Sequence, residues 1–117
     1  MSKQHGTLSE IMDKIQSELN QNSEPISGVN TIYQFDISGD AEGSFQLRLQ
    51  DGTGKVVLDV DQAADCTLVM SFDSFQKFLT GKLNGTMAFM TGKLKINGDL
   101  TKAIKLEAIL KQYNFSD

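Results

Sequence analysis

The sequence predicts an α+β fold, a five-stranded and mainly antiparallel sheet with helices packed on one face. Three observations carry that expectation. Apolar and polar residues alternate with a period of two in five stretches, stripes with helical spacing flank them, and most of the intervening turns are too short for crossover helices. A sheet whose strands alternate in this way has one apolar face, and the amphipathic stretches are what remains to cover it.

Leu8, Ile11, Met12, Ile15 and Leu19 fall on one stripe, so residues 8–21 read as a helix. Thr7 followed by Glu10 fits a capping box at its start, and Pro25 and Gly28 break the chain after it. Tyr33, Phe35 and Ile37 then alternate with polar residues, as do Phe45, Leu47 and Leu49 beyond Gly39 to Gly43, which predicts a hairpin. Asp51 to Gly54 turns the chain into a strand carrying Val56, Leu58 and Val60, and Cys66, Leu68 and Met70 repeat the pattern. The short turns predict an antiparallel meander for these four strands.

Ser71 or Asp73 can cap a helix bearing Phe72, Phe75, Phe78 and Leu79, with Gly81 placed to stop it. A short helical turn is expected over Thr86 to Met90, and a fifth strand over Lys93 to Asn97. The sequence Gly81-Lys82-Leu83 returns as Gly92-Lys93-Leu94, which reads as two terminators rather than a duplication. Asp99 caps the last helix, whose wheel gathers Leu100, Ala103, Ile104, Leu106 and Leu110 with Tyr113 and leaves Ile109 nearly opposite.

The 117 residues, 39% hydrophobic and 22% charged, suit one domain over 1–117 with a single core. No apolar run approaches the length of a membrane span, and Met1 to Thr7 shows no signal-peptide core, so the expected location is cytoplasmic. The lone Cys66 suits a reducing compartment. A net charge of -4 argues against nucleic acid. That total hides an asymmetry: residues 1–76 hold 4 basic and 12 acidic side chains, whereas residues 77–117 hold 7 lysines and 3 acids. Lysines 77, 82, 93, 95, 102, 105 and 111 form a basic half that could approach an anionic membrane surface transiently, or simply be solvated.

Catalytic and cofactor chemistry finds little footing. The one histidine, His5, sits in a polar terminal segment, and Cys66 alternates with apolar residues as a buried thiol would. Asp59, Asp61 and Asp65 fail the EF-hand pattern, which needs glycine at Ala64 and glutamate at Met70. Gly52-x-Gly54 is not a dinucleotide loop, and no Gly-Lys pair continues as a P-loop. No cofactor and no metal site are therefore expected. Glu107 falls between Leu100 and Ala103 inside the apolar arc; it could be a base in a dry pocket or the ion-pair partner of Lys111. Phe72, Phe75, Phe78, Met87, Phe89 and Met90 are more bulk than two brief helices need, which fits either plain core or a cavity wall.

The order of residues adds a resemblance. Cys66-Thr67-Leu68-Val69-Met70-Ser71-Phe72, Gly81-Lys82-Leu83-Asn84, Ala88-Phe89-Met90-Thr91-Gly92-Lys93-Leu94-Lys95-Ile96-Asn97-Gly98-Asp99 and Ala103-Ile104-Lys105-Leu106 resemble the sterol carrier protein type 2 domain family, densely over residues 66–113 and in layout upstream. The resemblance implies an apolar tunnel between the sheet and the C-terminal helices, binding fatty acids, fatty acyl-CoA, phospholipids or sterols without converting them. It maps Phe72, Phe75, Leu79, Met87, Phe89, Met90, Leu94, Ile96, Ile104 and Leu110 onto the tunnel wall. Gly85-Thr86-Met87 departs from the proline-containing segment often found there, and the end Phe115-Ser116-Asp117 lacks a peroxisomal address. Two other functions stay open, a protein-docking domain using the same apolar face and a small enzyme with Glu107 as base.

Overall fold

In the computed structural model, which describes residues 8–39, 42–113 and 115, the first helix α1 spans Leu8–Gln21, the bounds its stripe predicts. Thr7 lies outside the described residues, and so does its part in the expected capping box. Met12, Ile15 and Leu19 are buried, and a 3-10 turn over Glu24–Ile26 leads into the sheet.

The strands are β1 (Thr31–Ser38), β2 (Gly43–Gln50), β3 (Thr53–Val57), β4 (Cys66–Ser71) and β5 (Leu94–Gly98), in the order β3-β2-β1-β4-β5. Three of the four pairings are antiparallel, but β1 and β4 are parallel, with Tyr33 opposite Cys66 and Phe35 opposite Leu68. The expected four-strand meander is therefore wrong. Alternation reads the same in either direction, and the link between β3 and β4 is long enough to cross the sheet rather than reverse beside it. Leu58 and Val60, which continue the alternation, are exposed in that link rather than paired.

The crossing runs over the polar face of the sheet. Gln46 Nε2 donates to the Gln62 carbonyl at 2.7 Å, and Arg48 pairs with Asp61 at 3.0 Å. Asp65 latches the far end: its N–H donates to the Ile32 carbonyl and its carboxylate accepts from the Ile32 N–H, both at 2.8 Å. A buried Gln46 with satisfied polar atoms replaces the water this face would otherwise need.

All helices lie on the other face. α2 (Phe72–Leu79) is capped by Ser71, whose hydroxyl accepts from the Ser74 N–H at 3.1 Å. α3 spans Gly85–Thr91 with Asn84 as its cap, and α4 spans Leu100–Leu110 with Asp99 accepting from the Thr101 N–H. Gly81 and Gly92 both have left-handed φ, +78° and +84°, as a side-chain-free residue permits. After each, the lysine N–H bonds back to a carbonyl five residues earlier, Lys82 to Lys77 at 2.8 Å and Lys93 to Ala88 at 2.9 Å. The repeated Gly-Lys-Leu is thus one helix-ending motif used twice.

The core has two differently built parts. Phe35 stacks on Phe45 at 5.0 Å, and Phe75 from α2 meets both rings edge-on at 5.4 and 5.9 Å. Beside it, α1 closes the free edge of β3: Gln16 and Asn20 side-chain amides accept from the Val56 and Gly54 N–H groups at 2.7 and 2.9 Å, and Asn20 donates to the Gly54 carbonyl. Side chains thereby do what a sixth strand would do, leaving no template for edge pairing there. On the other side α4 buries Ala103, Leu106, Ile109 and Leu110, so Ile109 joins the core while Leu100 and Ile104 stay exposed. The buried arc of α4 is rotated from the predicted one, toward Ile109 and away from Leu100 and Ile104, which lie on the flank at the cavity beside α3.

Candidate functional site

Between α3, α4 and β5 lies an apolar cavity of about 50 Å³. β5 contributes Leu94 and Ile96, which alternation places on the helix face of the sheet opposite Met70 and Leu68. α4 contributes Leu100, Ala103, Ile104 and Glu107, one flank of the helix at i, i+3, i+4 and i+7. α3 contributes Gly85, Thr86 and Phe89, and Phe78 reaches in from α2.

Of the ten residues mapped to a tunnel wall, Phe89, Leu94, Ile96 and Ile104 come together here. Phe72, Phe75, Leu79 and Leu110 do not line the cavity; they are buried, Phe75 wholly taken up by the aromatic contacts with Phe35 and Phe45. Met87 and Met90 do not line it either, being 60% and 75% exposed. The reason is the geometry of a seven-residue helix. α3 turns its small residues Gly85 and Ala88 inward, so the positions opposite, Met87 and Met90, face solvent.

Five cavity residues other than Glu107 fall outside that set: Phe78, Gly85, Thr86, Leu100 and Ala103. The signal for Leu100 and Ala103 was present in the arc of α4, and Phe78 belonged to the aromatic surplus. Gly85 and Thr86 were singled out only as a departure from the proline-containing segment that the resemblance expects there.

Glu107 has a structural occupation. Its Oε2 accepts from the Gly85 N–H at 2.9 Å and lies 3.8 Å from Lys111 Nζ, with 14% of the side chain exposed. The carboxylate thus ties α4 to the first residue of α3, satisfying a backbone donor that a helix start leaves without a partner. Both alternatives for its surroundings in the sequence, the pocket and the ion pair, meet at this one group.

Two other titratable groups sit under the site. Burial pushes the Cys66 thiol up to about 11, with Asp99 and Asp65 adding to the effect. Burial also raises Tyr33 well above the ordinary phenol range, and its hydroxyl donates to the Lys102 carbonyl at 2.7 Å, pinning α4 to β1. A thiol held protonated is a poor nucleophile. Among the described residues no group of three His, Cys, Asp or Glu side chains is placed to hold a metal ion, and no helix is long and apolar enough to cross a membrane.

A family model described as the SCP-2 sterol transfer family matches residues 10–111. The chain is 43% identical over 115 residues to hydroxysteroid dehydrogenase-like protein 2 of Xenopus tropicalis, covering 97% of this chain and 27% of that protein. It is 36% identical over 110 residues to sterol carrier protein 2 of Gallus gallus, covering 94% of this chain and 20% of the relative. The chain therefore spans only about a fifth to a quarter of the length of these relatives. The apo form of sterol carrier protein 2 from Yarrowia lipolytica superposes with a TM-score of 0.73 at 36% identity, over 93% of this chain and 94% of that one. The sterol carrier protein domain 2 of Helicoverpa armigera gives the same TM-score at 31% identity, over 86% and 83%.

Proposed function

The chain belongs to the SCP-2 sterol transfer family, and from that premise we propose that residues 1–117 form a single module that binds, and exchanges, fatty acids, fatty acyl-CoA, phospholipids or sterol-like lipids in the cavity between α3, α4 and β5. The observation that carries the reading is the lining itself: mostly apolar, from four elements, with its one carboxylate already bonded to the α3 backbone. Such a wall has little with which to perform chemistry and much with which to hold hydrocarbon. We read the protein as a binder without turnover of its own, acting in the cytoplasm, where its single thiol stays reduced. In the longer relatives the matching stretch would supply lipid handling to whatever else those chains do.

Binding on this reading widens the site. The room between the helices is well below the several hundred Å³ usual for a ligand of this size. α3 is the element suited to move, because it is short, packs through Gly85 and Ala88, and is tied to α4 by the Glu107 contact. Burying a long acyl chain is worth roughly 0.8 kcal/mol per methylene, enough to offset both that movement and the cost of association.

Ile104→Trp tests the assignment. Ile104 is 51% exposed at the cavity, so the larger ring can occupy space that ligand would take. Denaturation of the delipidated variant should match the parent within about 0.5 kcal/mol, as at a surface position. Displacement of a fluorescent fatty acid should show affinity reduced at least tenfold. Unchanged affinity would remove Ile104 and this cavity from the lipid site.

A further inference from the structure

A cleft opens where α1 stops latching the edge of β3. Facing residues of the two elements recur every four along the helix and every two along the strand, steps of about 6 and 6.7 Å that stay in phase. Asn20 thus meets Gly54 and Gln16 meets Val56, each through a side-chain amide. The next pair in the series is Met12 and Leu58. A thioether has no donor and is a weak acceptor, so the row of latches ends there, and β3 ends at Val57. Helix and strand part around a cleft of about 520 Å³, which shares no lining residue with the α3–α4 cavity.

Its lining combines two kinds of side chain. Leu8 and Met12 from α1, with Val56, Val57 and Leu58, supply hydrocarbon. Asp13 and Glu42 supply charge, one from the helix and one from the approach to β2, and neither has an ion-pair partner among the described residues. Among the described residues no lysine or arginine lines the cleft.

We infer that this cleft binds an amphiphilic cation, a single ammonium group carried on a hydrocarbon body, with the body against Leu8, Met12 and Val56 and the ammonium meeting Asp13 and Glu42. A volume of several hundred Å³ is what a small-molecule ligand needs, and a largely apolar wall with a few placed polar groups is the form such sites take. The sign of those groups selects the ligand, because both carboxylates repel an anionic head group. A bare metal ion gains nothing from the apolar wall, and a plain hydrocarbon leaves the charges unused. The α3–α4 cavity differs on this point, since its one carboxylate is already taken up by the Gly85 N–H and Lys111.

Titrating methyl-labelled protein with decylammonium, kept below its micelle concentration, tests the inference, with decanoate as the probe of equal chain length and opposite charge. The Leu8, Met12, Val56, Val57 and Leu58 methyls should shift along one saturation curve with the cation, and need at least tenfold more decanoate to move as far. Asp13→Asn with Glu42→Gln should weaken binding of the cation about tenfold, roughly threefold for each carboxylate, as exposed ion pairs do, while leaving the fold intact. Asp51→Asn with Asp73→Asn changes the net charge equally at residues that do not line the cleft, and should bind as the parent does. Cleft methyls that do not move with the cation, or that follow decanoate at the same concentration, overturn the inference. Equal losses from the two carboxylate pairs overturn it as well. So do shifts confined to Leu94, Ile96, Leu100 and Ile104, which would place the cation in the α3–α4 cavity instead.

Discussion

The half of the molecule built on α1, α2 and strands β1 to β3 has a closed aromatic centre and a cleft at its surface, where Leu8 and Met12 of α1 face Val56 and Val57, whereas the half built on α3, α4 and β5 is open at its centre. In the first, three phenylalanine rings interlock, and the free edge of β3 is taken up by Gln16 and Asn20. In the second, α3 touches its neighbours through Gly85 and Ala88, and five large apolar side chains remain in solvent. The same kinds of residue occur in both halves. What differs is how the apolar side chains pack around the centre of each half, by ring against ring in the first and around a cavity in the second, and that difference marks where a ligand can be admitted without unfolding the rest.

The comparison is broken most sharply by truncating one aromatic in the closed half. Phe75→Ala should cost about 3–5 kcal/mol in chemical denaturation, because the ring is fully buried between two others. Met90→Ala, a truncation of similar size in the open half, should stay within about 0.5 kcal/mol. Comparable losses at both positions would mean that the halves are equally packed.

Two glycines make the contrast at smaller scale. A Cβ on Gly54 would lie 2.8 Å from Leu19 Cδ1 and 3.0 Å from Leu19 Cβ, the latter fixed by the α1 backbone, so Gly54→Ala should cost about 1–3 kcal/mol. A Cβ on Gly85 would meet Glu107 Oε1 at 2.6 Å, the far end of a side chain that can swing away. Gly85→Ala should therefore stay within about 1 kcal/mol, helix propensity offsetting the strained contact. Hydrogen exchange should show α3 opening more readily in that variant, with β1 and β2 unchanged.

Much of the closed half was legible in the sequence. The stripe from Leu8 to Leu19 marked α1, and the alternation in Tyr33 to Ile37 and Phe45 to Leu49 marked the central hairpin, because the apolar side chains there are buried with a period of two. The parallel pairing of β1 with β4 was not legible, since strand direction depends on a crossing held by Gln46, Arg48 and Asp65, contacts without periodicity. The open half was read less well. Its elements were found, but the resemblance mapped Met87 and Met90 onto a tunnel wall, and both are exposed here because the small residues of α3 decide which face packs. Four of the residues that the resemblance mapped, Phe89, Leu94, Ile96 and Ile104, line the cavity. The resemblance did not supply the bond from Gly85 to Glu107, which depends on how two helices meet.

Alkaline pH offers a gentler probe of the floor beneath the site. The folded protein holds the Cys66 thiol up to about 11, above the ordinary value of 9.0, so the folded state keeps a proton that the unfolded chain gives up first. The resulting stability is fully present below about pH 9 and is lost as pH rises through about 11. Tyr33, raised in the same direction, adds to the loss. Denaturation midpoints should accordingly be flat from pH 7 to pH 8.5 and fall by pH 10.5, with the Cys66→Ala variant falling less. An equal fall in that variant would assign the effect elsewhere.

The claim that the open half is the lipid site is tested most directly by titrating methyl-labelled protein with a long-chain fatty acid and following each methyl group by NMR. Leu94, Ile96, Leu100 and Ile104 should shift with a common saturation curve, while Leu19, Leu47 and Leu49 in the closed half stay in place. Shifts concentrated on the Leu19, Leu47 and Leu49 methyls, with Ile104 unmoved at saturation, would contradict the account.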